Sequence, residues 1–207
     1  MNRADRDKFA SGTHADLTSG NACWETAPRV FAQLNEDVGP FDLDLTADAQ
    51  RHLCPLWFGP GSVYTDALTA VWHLHGSNGY SNPPYGPFVQ RMLGKAKHEA
   101  TQGFSSTLLL PMRVTAAFKQ HVLCGAAQLI FPDKRLVFFE NGVPRINERA
   151  WREHGVLRAD PALFDSILVR YLPGTPLDAR PALDVWKVPP HVTADDLERA
   201  RVRKVAA

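Results

Sequence analysis

Cysteine is scarce in this chain: three residues, Cys23, Cys54 and Cys124, are spread over 207 positions. An odd count with no Cys-x-x-Cys pair argues against a disulfide framework and reads as reduced intracellular thiols. His52 with Cys54, and His73 with His75, have metal-like spacing. Neither has a second ligand pair at zinc spacing, so both read as structural and no metal is expected. Long apolar runs are missing as well. Nothing approaches the length of a membrane span and no signal-peptide pattern opens the chain, so a soluble, cytoplasmic protein with no membrane partner is expected. Charge of one sign is also absent, since 23 Lys and Arg stand against 22 Asp and Glu, a formal net charge of +1. Any contact with nucleic acid would have to come from local basic surface. No internal repeat is visible, and no separate recognition domain of useful size is expected. No Gly-x-Gly loop follows the first expected strand, so a nucleotide-like cofactor is not announced by the usual glycine signature.

What the chain does have is 44% hydrophobic content, enough for one domain with a substantial core plus tails. Its most informative stretch is Ser81-Asn82-Pro83-Pro84-Tyr85-Gly86. An amino group conjugated to a ring or carbonyl is a poor nucleophile because its lone pair is delocalised. Acceptors that favour a pyramidal, lone-pair-forward geometry overcome this, and the Asn82 side-chain oxygen and Pro83 carbonyl are of that kind. Pro83 and Pro84 cannot donate backbone hydrogen bonds and have fixed φ, which makes a rigid loop. Tyr85 offers a π-face for a planar substrate. The same six residues also describe a proline-rich turn that closes a strand around an ordinary buried tyrosine.

The neighbourhood places this loop. Phe88, Val89, Met92, Leu93, Ala96 and Ala100 recur at helical spacing, with Gly103 to end the helix. Ser106 to Pro111 is an apolar run suited to a buried parallel strand. Asn82 to Tyr85 therefore sit at the carboxyl end of a strand in a strand-helix-strand unit, where ligand sites of open α/β sheets lie. Upstream, the alternation of Phe41-Asp42-Leu43-Asp44-Leu45 sets Phe41, Leu43 and Leu45 on one face and Asp42 and Asp44 on the other. Paired carboxylates on a buried strand need a cation or hydrogen-bond donors, as an ammonium and ribose hydroxyls would supply. On an edge strand they would simply face water.

Residues 1–22 are polar, without hydrophobic period, and read as a flexible arm. Thr26 to Leu34 suits a helix capped near Thr26 with Pro28 in its first turn, and Thr46 to Leu53 suits a short helix. Gly59 to Ser62 reads as a loop, Ala116 to Leu123 as a helix, and 127–131, 135–139 and 166–171 as strands. The domain spans 23–172. A C-terminal extension, 173–207, holds a short helix over Thr193 to Val205 with Thr193 and Asp196 as a capping box. Candidate basic surface comprises Lys95 with Lys97, Arg113, Lys134 with Arg135, and Arg149 with Arg152, each also readable as a solvated face.

With these residues in view, the chain resembles the phage-type DNA N-6-adenine methyltransferases, the Dam-like family. The likeness runs from Trp24-Glu25-Thr26-Ala27-Pro28 through Phe41-Asp42-Leu43-Asp44, Cys54 to Ser62, Asp66-Ala67-Leu68 and Trp72 to Asn82-Pro83-Pro84-Tyr85-Gly86. Lys95-Ala96, Leu108 to Arg113, Arg135 to Phe138 and Phe164 to Val169 follow in the family's order. The chain departs from the family where Ala27 separates Thr26 from Pro28, and where Thr115-Ala116-Ala117-Phe118 lacks an acidic residue.

The resemblance implies a Rossmann-like S-adenosylmethionine-dependent methyltransferase fold: a central, mostly parallel sheet with helices on both faces and an antiparallel late part. It implies S-adenosylmethionine as methyl donor, double-stranded DNA as partner, and transfer to the N-6 amino group of a flipped adenine by a phage- or prophage-encoded enzyme in a bacterial host cell. Asn82, Pro83, Pro84 and Tyr85 would be catalytic. Asp42, Asp44, Trp24, Thr26, Pro28, Asp66 and Leu68 would face the cofactor, and Lys95, Arg113, Lys134 and Arg135 the DNA. The Asn-Pro-Pro-Tyr loop also serves RNA and protein-glutamine methyltransferases, though the glutamine enzymes carry a glycine-rich first loop that is absent here. A catalytically silent DNA-binding module is the remaining alternative.

Overall fold

Leu108, Leu109 and Leu110 divide between two apolar cores, one on each face of a central sheet. The alternation follows from the strand period of two. In the computed structural model, which describes residues 24–206, these leucines belong to β4 (Ser105–Pro111). The other strands of the sheet are β1 (Leu43–Asp44), β2 (Leu56–Trp57), β3 (Asn78–Ser81), β5 (Gln128–Pro132), β8 (Ser166–Tyr171) and β9 (Ala182–Trp186). Their order is β2-β1-β3-β4-β8-β5-β9. All run parallel except β8, which pairs antiparallel with both β4 and β5. A separate hairpin is formed by β6 (Phe139–Glu140) and β7 (Val143–Pro144).

Helices cover both faces. On one, α2 (Pro87–Thr101) presses Met92, Leu93, Ala96 and Ala100 onto Leu108, Leu110, Ile167 and Val169, with Phe118 of α3 (Ala116–His121) beside them. On the other, Val30 and Leu34 of α1 (Pro28–Asp37) meet Tyr80, Leu109, Ile130 and Leu168. The spacing in α2 is that of the expected amphipathic helix, and Gly103 follows its end with φ +93°. Two more helices, α4 (Glu148–His154) and α5 (Ala194–Ala206), lie towards the C-terminus. No helix among the described residues is long and apolar enough to cross a membrane.

Several expectations need correction. The first helix starts at Pro28 after Ala27, with no side-chain cap, because the Thr26 hydroxyl is engaged with the Tyr80 hydroxyl at 2.7 Å. Phe41 does not share a face with Leu43 and Leu45. It enters the second core and they enter the first, since regular strand geometry covers only Leu43–Asp44. No helix forms over 46–53. Asp48 accepts from the Gln50 N–H (2.9 Å) and from the Arg51 guanidinium, a local competition that favours a turn. Of the strand expected over 135–139 only Phe139 is in one. Leu136 to Phe138 are buried coil, and the Val137 N–H donates to His191 Nε2 (3.0 Å) instead of to a strand partner.

Residues 1–22, read above as an arm, and Cys23 lie outside the described residues. The C-terminal segment has the expected helix and box: the Thr193 hydroxyl accepts from the Asp196 N–H (3.1 Å), and Asp196 Oδ2 from the Thr193 N–H (2.8 Å). It also contributes an unexpected element, β9, whose Trp186 is buried in the second core and donates its indole N–H to Asp37 Oδ2 (2.7 Å). Trp186→Ala is therefore expected to cost about 3–5 kcal/mol. Urea unfolding monitored by far-ultraviolet dichroism measures it, and a cost under about 1 kcal/mol would remove this segment from the core.

Candidate functional site

The carboxyl ends of β1, β2 and β3 open into one cleft of about 940 Å³. Crossover connections leave this end of a parallel sheet free for ligands. Asn82, Pro83, Pro84 and Tyr85 form one wall, continuing directly from β3. Trp24, Thr26, Pro28, Asp44 and Asp66 also line the cleft. Leu68 does not line it but packs against the first core. Asp42 is likewise outside: its carboxylate takes the Ser77 N–H and hydroxyl (2.8 Å each) and the Asn78 N–H (3.1 Å). Gly76 permits that latch, because a Cβ there would stand 2.6 Å from Asp42 Oδ1.

The Asn82 side chain is oriented by a backbone group far away in sequence. Its Nδ2 donates to the Trp24 carbonyl at 2.7 Å. The Tyr85 hydroxyl donates to Asn82 Oδ1 at 3.3 Å, a long bond that leaves a lone pair of that oxygen for another donor. Tyr85 is half-buried and meets Phe164 edge to face, ring centroids 5.5 Å apart. Burial pushes the Tyr85 phenol well above its usual range, against a smaller opposing effect of the Arg113 charge.

The Trp24 strap is itself held from three sides. Glu25 pairs with Phe139 as an isolated bridge, and its carboxylate accepts the Asn141 and Gly142 N–H groups (2.9 Å each) at the tip of the β6–β7 hairpin. The Arg145 guanidinium lies over the Trp24 ring at 4.6 Å, and Phe138 meets that ring edge-on at 5.5 Å. Thr26 reaches Tyr80 as described. Asn141 and Gly142 were missed in the sequence, although the Asn-Gly dipeptide is a strong hairpin signal and could have found them.

Asp44 is 4% exposed and lines the cleft. Its carboxylate accepts the Leu53 N–H (3.1 Å) and the Thr46 N–H (3.3 Å). Among the described residues no lysine or arginine forms an ion pair with it. Burial raises its pKa to about 6, with the two N–H donors and His52 opposing the rise. The Thr46 hydroxyl meets the Ser81 hydroxyl at 2.7 Å, tying the loop after β1 to the end of β3. Ala47 donates its N–H to the Phe58 carbonyl (3.0 Å), so the loops after β1 and β2 lie together. Gly59, at φ +138°, fits there because a Cβ would come within 1.9 Å of the Ala47 carbonyl oxygen.

The basic candidates separate. Lys95 is committed to the buried Glu99 (2.7 Å), which also accepts from His73 Nδ1 (2.8 Å). Arg135 pairs with Asp165 (3.1 Å) at an exposed position, and Lys134 is exposed. Arg113 is exposed at the carboxyl end of β4, beside Tyr85. His52 stacks on Trp57 at 4.2 Å and His75 packs against Tyr64 at 4.1 Å. Among the described residues no cluster of three His, Cys, Asp or Glu could hold a metal ion.

Residues 14–154, about two thirds of the chain, match the family model described as DNA N-6-adenine-methyltransferase (Dam). The match takes in the cleft walls and the β6–β7 hairpin and stops before β8 and β9. No curated protein matches the chain significantly.

The raised pKa of Asp44 has a consequence for stability. The carboxyl gives up its proton near 3.8 in an unfolded chain and near 6 in the folded one. Between those values the folded chain binds more protons, so the residue's contribution to stability falls as pH rises and is least above about 6. A shift of this size corresponds to about 3 kcal/mol. Asp44→Asn, which cannot ionise, should gain stability relative to the wild type as pH goes from 4 to 7, by up to that amount. Urea midpoints across the range test it, and a parallel pair of curves would show that Asp44 does not titrate there.

Proposed function

Because the chain belongs to the DNA N-6-adenine-methyltransferase (Dam) family, we propose that it methylates the exocyclic amino group of adenine in double-stranded DNA within a Rossmann-like fold, using S-adenosylmethionine. The observation that carries this reading is the Asn82 amide, turned by the Trp24 carbonyl so that its oxygen is left as an acceptor beside Tyr85.

The cleft suits the donor on chemical grounds. Asp44 is a buried carboxylate without an ion-pair partner among the described residues, and an ammonium or hydroxyl group would satisfy it. Thr26, Thr46 and Asp66 add polar groups, and Trp24 and Phe58 add apolar surface. Bound S-adenosylmethionine supplies the electrophilic methyl carbon. Asp44 would hold that donor from the β1 side, while Asp42 holds Ser77 and Asn78 at the start of β3.

The chain's own residues act mainly on the nucleophile. The target base lies inside the duplex and must be extruded, at a cost of about a few kcal/mol, before Tyr85 stacks on it. Asn82 Oδ1 and the Pro83 carbonyl then accept the amino hydrogens and bring the nitrogen lone pair forward. That nitrogen would take the donor's methyl group, the carbon–sulfur bond breaking as the new bond forms, and one amino proton would leave to solvent. Positioning and preorganised acceptors supply the rate enhancement, with no covalent attachment to the protein. Arg113, exposed beside the catalytic loop, is the favoured phosphate contact, whereas Lys95 is spent on Glu99.

The test is the nucleoside content of DNA from cells expressing the protein, together with methylation-sensitive restriction of plasmid. N-6-methyladenine should appear with the wild type. Its absence, with methyl groups found instead in an RNA or protein fraction, would overturn the proposal.

Two sets of variants examine the parts. Asn82→Ala should lower methyl transfer by about 10²–10³ while leaving donor affinity largely intact. Tyr85→Ala should lose roughly 1–3 kcal/mol of stacking, and Tyr85→Phe should keep most of the activity. Asp44→Asn should weaken donor binding by about 1.5–3 kcal/mol, and wild-type affinity should tighten as pH rises through about 6. Calorimetry reads both effects, and unchanged affinity in Asp44→Asn would remove this residue from the donor site.

A further inference from the structure

Three large apolar side chains stand in solvent on the Tyr85 side of the cleft: Met112, 47% exposed, Val114, 62%, and Leu163, 72%. The topology brings them together. Met112 and Val114 follow the carboxyl end of β4. Because β8 is antiparallel to β4, the segment that enters β8, with Leu163 and Phe164, arrives at the same end of the sheet. The two segments are joined by the Met112 N–H, which donates to the Asp165 carbonyl at 2.8 Å. Since β3 is parallel to β4, Asn82 to Tyr85 leave the sheet at this end too, and Tyr85 touches Phe164. Arg113 lies between Met112 and Val114. The opposite rim also has an exposed apolar residue, Val63, but it belongs to the loop after β2, on the side of Asp44.

Single exposed apolar residues need no explanation, whereas a group of them around a cation beside a stacking tyrosine does. Extruding a base from a duplex leaves a gap between two base-pair faces. An apolar side chain inserted there recovers part of the lost stacking. We propose that the Met112–Val114 and Leu163 ridge is a wedge that enters the helix where the target adenine leaves it, with Arg113 meeting the flanking phosphate. The proposal rests on the DNA-adenine reading above and gives that reaction its extrusion device. None of the three residues lines the cleft, so their work lies outside the chemical step.

The test uses Met112→Ser and Leu163→Ser, singly and together, on two duplexes carrying a site at which plasmid DNA becomes methylated. In one the target adenine is paired with thymine, and in the other it faces an abasic site, so that little holds the base in. All the variants should melt with the wild type, since the side chains are exposed. On the paired duplex kcat/KM should fall about tenfold in the double variant, and on the abasic-opposed duplex less than about twofold, because extrusion there is already cheap. Equal losses on both substrates, or no loss on either, would overturn the wedge while leaving the methyltransferase reading in place. A wild type that methylates neither duplex would overturn both.

Discussion

The hydrogen bond from Asn82 Nδ2 to the Trp24 carbonyl ties the two halves of the site together across 58 positions of sequence. Asn82 belongs to the loop that leaves β3, and Trp24 to the strap that precedes α1. A primary amide can turn either end towards a ligand, and a fixed backbone acceptor for its NH₂ group decides which end remains. The geometry of the Asn-Pro-Pro-Tyr loop is thus not contained within the loop. It depends on everything that holds Trp24: the Glu25 clasp on the hairpin tip, the Arg145 guanidinium over the indole, and the Thr26 to Tyr80 bond. The hairpin is in turn braced by α5, whose Arg203 donates to the Asn141 carbonyl at 2.9 Å. The C-terminal helix therefore bears on the site without touching the cleft.

A second constraint works against stability. Asp44 is kept nearly inaccessible with two N–H donors and, among the described residues, no lysine or arginine paired to it, so at neutral pH the cleft holds a desolvated carboxylate. A protein selected for stability alone would place a neutral group there. Asp42, on the same short stretch, has the opposite fate because three donors from 77–78 satisfy it. Two carboxylates one residue apart thus divide into a latch and a cleft-lining group. Alternation of residue types alone could not assign those roles.

Much of the fold was legible wherever local period and burial agree. Met92, Leu93, Ala96 and Ala100 mark α2, and the leucine run marks β4. Thr193 and Asp196 form the capping box ahead of α5, because each of these patterns is satisfied by neighbours a few residues away. The pattern failed where distant partners decide. Leu136 to Phe138 have the composition of a strand, but the Val137 N–H is claimed by His191 and the Leu136 and Phe138 side chains by the second core. Thr46 to Leu53 have helical composition, yet Asp48 and Asp44 collect the N–H groups that a helix would need. β9 is composed largely of exposed residues and shows no half-buried period, so only its pairing with β5 identifies it.

The sequence by itself determined the chemistry available: the rigid Asn82 to Tyr85 loop at the end of a strand, the carboxylates at 42 and 44, and the family to which residues 14–154 belong. These are matters of residue type and short spacing, and they do not depend on how the chain closes. Only the tertiary structure decided which carboxylate faces the cleft, which end of the Asn82 amide the Trp24 carbonyl holds, and which cations are spent on internal pairs. It also placed β8 between β4 and β5, bringing Phe164 to Tyr85 from a part of the chain beyond the family match. Each of those outcomes turns on a hydrogen bond, ion pair or ring contact between residues far apart in sequence. The physical reason they were hidden is that donors and acceptors find partners by distance in space, which a linear order of residues does not specify.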